Sequence, residues 1–386
     1  MGPKRKLYGA AAAAVERKRL RQLRLAEETA ATGPPTSADP VESGEDPIHR
    51  ELNALAISGA ALPDRPEDAI EYAKRRLENY KEKNEKDKTP LVLNAFLDFL
   101  PKDGKQNLIT DIVTRPEDED LHQLVRQLRA HIIVPLALSA ASSSSASSLE
   151  GRQGTRPATS HQRRNRSGQR KFKEACLDRD NNRCVVSGLY DVKRAEKLPE
   201  EEYNEHPKAN TECAHVIPFS ASAESPDGNI DPEKEVARNW AFVYRYFPDL
   251  VAKMDVRSAS AINQPRNAMT LIQPFHAALG SFTMGFEKVP GDQNSYIVRT
   301  FKGFQDGYNF FLPKDGRVIF ESKDSVESPD QTILAFHLAI CNILHATGMG
   351  EDIERYFDNL EEIGCLAEDG STDIETAIAR GLARAY

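Results

Sequence analysis

Two short stretches, Cys213-Ala-His215-Val-Ile-Pro218 and Asn267-Ala-Met-Thr-Leu-Ile, decide the fold because each has the composition of a β-strand. The first presents a histidine and ends at a proline, which cannot donate to a sheet. Directly after the second comes Pro274-Phe-His276-Ala-Ala-Leu, where the proline favours the first turn of a helix. This order predicts a ββα unit with an insertion between its strands.

The polar residues of this unit are spaced in a way that resembles the HNH endonuclease family, and most closely its fungal members. Eight residues separate Asn267 from His276, Ala-His-Val-Ile-Pro surrounds His215, and Cys184-Val-Val-Ser-Gly188 lies upstream. The resemblance implies an α+β fold with a ββα-metal nuclease core. It also implies an endonuclease that cleaves phosphodiester bonds, with DNA as the expected substrate.

The residue types fit that chemistry. An imidazole, with its usual pKa near ~6.5, can take a proton from water close to neutral pH, so His215 is the candidate general base. By resemblance, His276 is a metal ligand and Asn267 holds the loop that carries His215 through backbone hydrogen bonds. We expect the two imidazoles to converge on one water-accessible pocket.

The metal site departs from the commonest HNH form, which has an acidic residue directly before the first histidine where this chain has Ala214. We expect Mg²⁺ or Mn²⁺, ions that prefer oxygen ligands. Glu212 is a second candidate ligand, expected on the same strand face as His215. Zinc-binding members have two CxxC pairs, of which only Cys184 remains here, so no structural zinc is expected.

Charge is distributed unevenly along this chain, whose net charge is −8. Residues 1–24 carry eight Lys or Arg against one Glu, and residues 151–173 carry eight with no acid. Basic clusters of this kind suit contacts with phosphates, although solvated linkers can have the same composition. The candidate nucleic-acid contacts are Arg163, Arg164, Arg166, Arg170 and Lys171.

Composition divides the chain into five predicted segments. They are an Ala-rich basic disordered N-terminus (1–51), a helical unit (52–137), a Ser/Arg-rich flexible linker (138–170), the nuclease domain (171–304), and a C-terminal hairpin with helices (305–386). The hairpin is expected from Tyr308–Leu312 and Arg317–Phe320 around Lys314-Asp-Gly316. Further helices are expected near Val15, over residues 331–346 and from about Ser371. A stripe of apolar residues within 66–137 predicts a packing face in a helical bundle, which is also a candidate docking module for a protein partner. The aromatic residues near Trp240 suit either packing or stacking on bases.

Two further classes of function stay open on these residues. Ala214 is compatible with a catalytically weakened module that only binds nucleic acid or protein, and the helices are compatible with an interaction scaffold. The five cysteines form no CxxC pair and no apolar run is long enough for a membrane helix. We therefore expect an intracellular protein of nucleus or cytoplasm that is neither secreted nor membrane-bound.

Overall fold

The structure is a computed structural model that describes residues 46–55, 66–137, 160–217, 232–254 and 262–351. All of the elements below belong to the compact unit Pro47–Tyr386. The predicted basic helix near Val15 and the predicted last helix near Ser371 lie outside the described residues. Within the part of the chain that is described, no helix combines the length and apolar character needed to cross a membrane.

The helices are α1 (Pro47–Leu55), α2 (Pro66–Glu78), α3 (Thr89–Phe99), α4 (Lys102–Val113), α5 (Asp118–Leu128), α6 (Ser160–Arg179), α7 (Val192–Ala195), α8 (Glu200–Glu205), α9 (Pro232–Tyr246), α10 (Gln273–Gly280) and α11 (Gln331–Thr347). The strands are β1 (Tyr190–Asp191), β2 (Lys208–Ala209), β3 (Thr211–His215), β4 (Ala268–Ile272), β5 (Met284–Lys288), β6 (Ser295–Thr300) and β7 (Arg317–Ile319). Short parallel β1 and β2 pair, β3 and β4 form an antiparallel pair, and β5, β6 and β7 form an antiparallel sheet in that order. This mixture of helices and small sheets is consistent with the expected α+β class.

The helical unit has the predicted packing face. Helix α5 begins with three acidic residues, which favour the positive end of the helix dipole, and Arg126 lies in its last turn. Its apolar stripe is fully enclosed, with the side chains of Leu121, Leu124, Val125, Leu128 and the following Ile132 all buried. The core of this unit is continuous with apolar residues of α9 and α11.

A buried polar cluster joins α4 to α9. The carboxylate of Asp111 accepts two hydrogen bonds from Arg245, at 2.9 and 2.7 Å, and one from the Tyr246 hydroxyl at 2.7 Å. The two helices approach so closely that a Cβ on Gly104 would lie 1.8 Å from the carbonyl oxygen of Tyr246. Only glycine fits there, because it has no side chain. The insertion between β3 and β4 is thereby packed onto the helical unit.

The predicted hairpin around Lys314-Asp-Gly316 is wrong. Residues Asp306–Phe311 form a 3₁₀ helix, and β7 pairs with β6 instead. The alternating Val318 and Phe320 are both buried, and the Phe320 ring packs against Tyr296 of β6 and Phe286 of β5. Strand β7 therefore pairs with β6, where its apolar side chains are buried, and not with the residues immediately before it.

Two segments that we predicted to be disordered or flexible contain helical residues. Helix α1 begins at Pro47, inside the predicted disordered N-terminus, and α6 begins at Ser160, inside the predicted linker. The sequence of α6 is rich in arginine, which is a strong helix former, and has no proline. Residues 160–170 are therefore helical. In contrast, the helix predicted over residues 331–346 is confirmed as α11.

Candidate active site

The site is built on the antiparallel pair β3 and β4, in which His215 lies opposite Ala268. The ladder continues one residue further, since the backbone N–H of Val216 donates to the carbonyl of Asn267 at 2.8 Å. Helix α10 follows β4 directly, with Pro274 in its first turn as predicted. His215 at the end of β3 and His276 on α10 are thus positioned by neighbouring elements.

Asn267 is wholly buried and ties two loops together. Its Oδ1 accepts from the backbone N–H of Ile217 at 3.0 Å, and its Nδ2 donates to the carbonyl of Ile217 at 3.1 Å. The same Nδ2 donates to the carbonyl of Ile262, also at 3.1 Å. Because a buried amide costs free energy unless it is hydrogen-bonded, these contacts fix the backbone two residues after His215.

His215 is half-buried and is held on two sides. Its Nε2 lies 2.9 Å from Oδ1 of Asn263, and its ring stacks on Phe172 of α6 with 5.3 Å between centroids and 19° between planes. Burial lowers the pKa of His215 below its usual value, the hydrogen bond with Asn263 opposes this, and the charge of His276 lowers the pKa further. The neutral imidazole is therefore favoured at neutral pH.

His276 forms a close contact with a carboxylate. Its Nδ1 lies 2.6 Å from Oε2 of Glu212, and the two side chains are 18% and 27% exposed. This pair offers one imidazole nitrogen and one carboxylate at the surface, the donor types that divalent ions use in proteins. The candidate ligands that the sequence suggested are thus in mutual contact.

The expected placement of Glu212 on the face of His215 is wrong. The two residues are three positions apart, and side chains alternate along a strand, so they lie on opposite faces of β3. Glu212 shares its face with Ala214, the position that is acidic in the commonest HNH form. The His215 face meets α6 through Phe172, whereas the Glu212 face meets α10 through His276.

The two imidazoles are consequently held by different partners and no hydrogen bond between described residues links them. They remain within electrostatic reach, since the charge of His276 contributes to the lowered pKa of His215. The convergence of the two imidazoles on one pocket stays a prediction.

Comparison with known proteins adds one finding. Residues 184–287 match the family model described as HNH endonuclease. The chain carries an HNH endonuclease domain. No curated protein and no solved structure gives a significant match to the chain. The HNH match includes His215, Asn267 and His276, and its likeness to fungal members stays a prediction.

A buried arginine that sequence reasoning missed braces the HNH domain. All five N–H groups of Arg179 are used: two pair with the carboxylate of Asp180 at 2.7 and 2.9 Å, and three donate to backbone carbonyls. Two of these carbonyls belong to Pro265 and Ala268, on either side of Asn267. Asp180 also accepts from the backbone N–H of Thr270 on β4 at 2.8 Å. No local sequence pattern marks Arg179, because the three carbonyls that it binds lie far along the chain.

The predicted nucleic-acid contacts all fall on α6, which runs into the HNH site. Arg170 and Lys171 are exposed two residues and one residue before Phe172, the residue that stacks on His215. Arg163, Arg164 and Arg166 lie in earlier turns of the same helix. The aromatic residues of the insertion pack, as one of the two interpretations predicted: Trp240, Phe242, Tyr244, Tyr246 and Phe247 are all buried.

The donor set for a metal is small. Within the described residues, no group of three or more His, Cys, Asp or Glu side chains is gathered for a metal ion. Glu212 and His276 supply two donors on one partly exposed wall. Such a set fits an ion that keeps most of its ligands as water, which Mg²⁺ does readily.

Proposed function

We propose that this HNH domain is a divalent-metal-dependent endonuclease that hydrolyses phosphodiester bonds in DNA, with His215 as the general base. The observation that carries the proposal is the set of hydrogen bonds from Asn267 to the loop after His215. They connect Asn267 physically to the segment that carries His215, and they support a defined position for its imidazole. An accurately held base contributes about 10²–10⁴-fold to a reaction of this type.

The state of His215 supports its role. A general base must be neutral at the working pH, and the burial of His215 lowers its pKa and favours the neutral ring. The ring is nevertheless only half-buried, so water can reach it. Asn267 would act as a positioning residue, because its contacts are to backbone groups.

We assign the metal to Glu212 and His276. Glu212 lies on the strand face of Ala214, two residues earlier, so its longer side chain can supply the carboxylate that is missing at position 214. An ion bound there would stabilise negative charge on the phosphate and on the leaving oxygen. Mg²⁺ and Mn²⁺ are the proposed ions.

Helix α6 supplies the proposed contacts with the phosphate backbone. Its 20 residues span roughly 30 Å at ~1.5 Å per residue, which is close to one turn of duplex DNA. Arg163, Arg166 and Arg170 recur at intervals of three and four residues, a spacing that places helical residues on one side. The exposed Arg170 and Lys171 would hold phosphates near His215.

A nicking assay on supercoiled plasmid, with Mg²⁺ or Mn²⁺ and with EDTA as blank, tests the proposal. We expect His215→Ala to lower the rate by about 10²–10⁴-fold. Glu212→Gln should raise the metal concentration needed for half-maximal nicking. His206→Ala is the matched control, because His206 also stacks on an aromatic ring, Tyr190, at 5.3 Å within the same domain, and it should nick normally.

Two results would overturn the proposal. Nicking by His215→Ala at the wild-type rate would exclude that residue as the base. Wild-type protein that binds the plasmid without nicking it in either metal would favour the alternative of a binding module without catalysis. Parallel reactions on RNA of the same sequence test the assignment of DNA.

A further inference from the structure

Asn263 is the one direct hydrogen-bond partner of the His215 ring among the described residues, and no sequence pattern indicated it. Its Oδ1 lies 2.9 Å from Nε2 of His215, 48 residues earlier in the chain. A carboxamide oxygen can only accept a hydrogen bond. The nitrogen that faces it must therefore carry a hydrogen.

This contact decides which ring nitrogen is basic. A neutral imidazole has one N–H, so a hydrogen on Nε2 leaves the lone pair on Nδ1. Within the described parts of the chain, no hydrogen bond uses Nδ1 of His215. We propose that Asn263 is a positioning residue that holds His215 as the Nε2–H tautomer, so that Nδ1 accepts the proton of the attacking water. The catalytic half of this statement rests on the proposed function, whereas the tautomer does not.

The backbone around Asn263 is fixed by Asn267. The Nδ2 group of Asn267 donates to the carbonyl of Ile262, and its backbone N–H donates to the carbonyl of Gln264 at 2.8 Å. Asn263 lies between these two acceptors. Because Asn267 also holds Ile217, one buried side chain sets both ends of the contact between His215 and Asn263.

Phe172 and Asn263 constrain different motions of the ring. Stacking on Phe172 holds the plane of the imidazole, but a stacked ring can still turn within that plane or exchange its N–H. The hydrogen bond to Asn263 selects one edge and one tautomer. Together the two contacts leave one orientation, with the Nδ1 edge away from Asn263.

The first test measures the tautomer by ¹⁵N NMR of histidine-labelled full-length protein at pH 8. In the wild type we expect a protonated Nε2 and an unprotonated Nδ1 for His215, assigned by its loss in His215→Ala. Asn263→Ala should shift both ¹⁵N resonances toward those of a tautomer mixture, and Asn263→Asp, whose carboxylate also accepts, should retain the wild-type pattern. The opposite tautomer in the wild type, or an unchanged spectrum in Asn263→Ala, would overturn the proposal.

The second test measures kinetics on the same variants. We expect Asn263→Ala to lower kcat by roughly ten-fold with KM unchanged, as for loss of one orienting hydrogen bond, and Asn263→Asp to recover most of it. Asn239→Ala is the control, since it removes the Oδ1 that contacts His131, also at 2.9 Å, and should leave kcat unchanged per folded molecule. Equal kcat in Asn263→Ala and wild type would overturn the catalytic role. Inactive wild-type protein with the expected tautomer would count against the proposed function alone.

Discussion

Two histidine–asparagine contacts of 2.9 Å lie in regions that differ in burial. In the seam between the helical unit and α9, His131 contacts the buried Asn239 and packs on Phe242 with 4.7 Å between ring centroids. At the end of β3, His215 contacts the exposed Asn263. Both imidazoles are partly buried, but the asparagine is buried in the first pair and exposed in the second. We expect the first contact to stabilise the fold, whereas under the proposed function the second orients the reactive ring.

The largest expected effect comes from breaking the seam. Asp111→Ala leaves the partly buried Arg245 and the buried Tyr246 without their carboxylate, and removing one partner of a buried pair costs about 3–5 kcal/mol. Urea unfolding measures this loss. The protein that remains folded should keep its wild-type specific activity, which separates the seam from the HNH site.

Asp178→Ala is the matched surface control for Asp111→Ala. Asp178 pairs with Arg194 at 2.8 Å while 58% of its side chain is exposed, and such pairs contribute about 0–1 kcal/mol. Equal losses of stability in the two variants would show that the hydrogen bonds of Asp111 do not stabilise the packing of α9 on the helical unit.

A smaller effect is expected from acid. Burial lowers the pKa of His337 to about 4, where its Nε2 bonds the carbonyl of Leu279 at the end of α10. Between pH 6.5 and 4 the His337 imidazole binds a proton more readily in the unfolded chain than in the folded protein. The free energy of unfolding therefore decreases by up to about 3 kcal/mol as the pH is lowered through this range. Urea midpoints at pH 7 and 4.5 measure the loss.

The variant His337→Gln isolates this contribution. It cannot titrate, so its stability should depend less on pH than that of the wild type, even if it is lower at pH 7. His345→Gln is the control, since His345 also bonds a backbone carbonyl, that of Phe282, but is less buried. A pH dependence unchanged by His337→Gln would assign the acid sensitivity to other groups.

The smallest expected effect concerns α6. Replacing Arg170 and Lys171 with glutamine should weaken DNA binding a few-fold and reduce the slope of log K against log salt by about 2, since each phosphate contact contributes about 0.9. Stability and kcat should not change. Gel shifts across a salt series measure the slope, with glutamine at the exposed Lys302 and Lys314 as the charge-matched control. Equal slopes for the two double variants would show that Arg170 and Lys171 of α6 do not contact DNA phosphates.

Local patterns predicted the parts of the fold that local forces determine. The stripe from Leu121 to Ile132 has helical spacing, and Pro274 favours a first turn wherever it occurs. Both predictions are confirmed because neither depends on a distant partner. The hairpin around Gly316 failed for the opposite reason, since β7 paired with a strand that lies earlier in the chain.

Only the site residues that match the spacing of the HNH family could be predicted from the sequence. His215, Asn267 and His276 are visible in the sequence, but the partners that orient them are not. Asn263 is 48 residues from His215, and Arg179 is 86 residues from the carbonyl of Pro265 that it binds. Such contacts arise from tertiary packing, which leaves no spacing to detect.

The hydrogen bonds of Asn267 also bear on when the site comes into being. They join residues 50 positions apart, so a long loop must close, at a cost in conformational entropy, before they can form. A nascent chain with β3 and β4 still separate holds no oriented imidazole. Under the proposed function, the domain would become reactive toward nucleic acids only when these long-range contacts close.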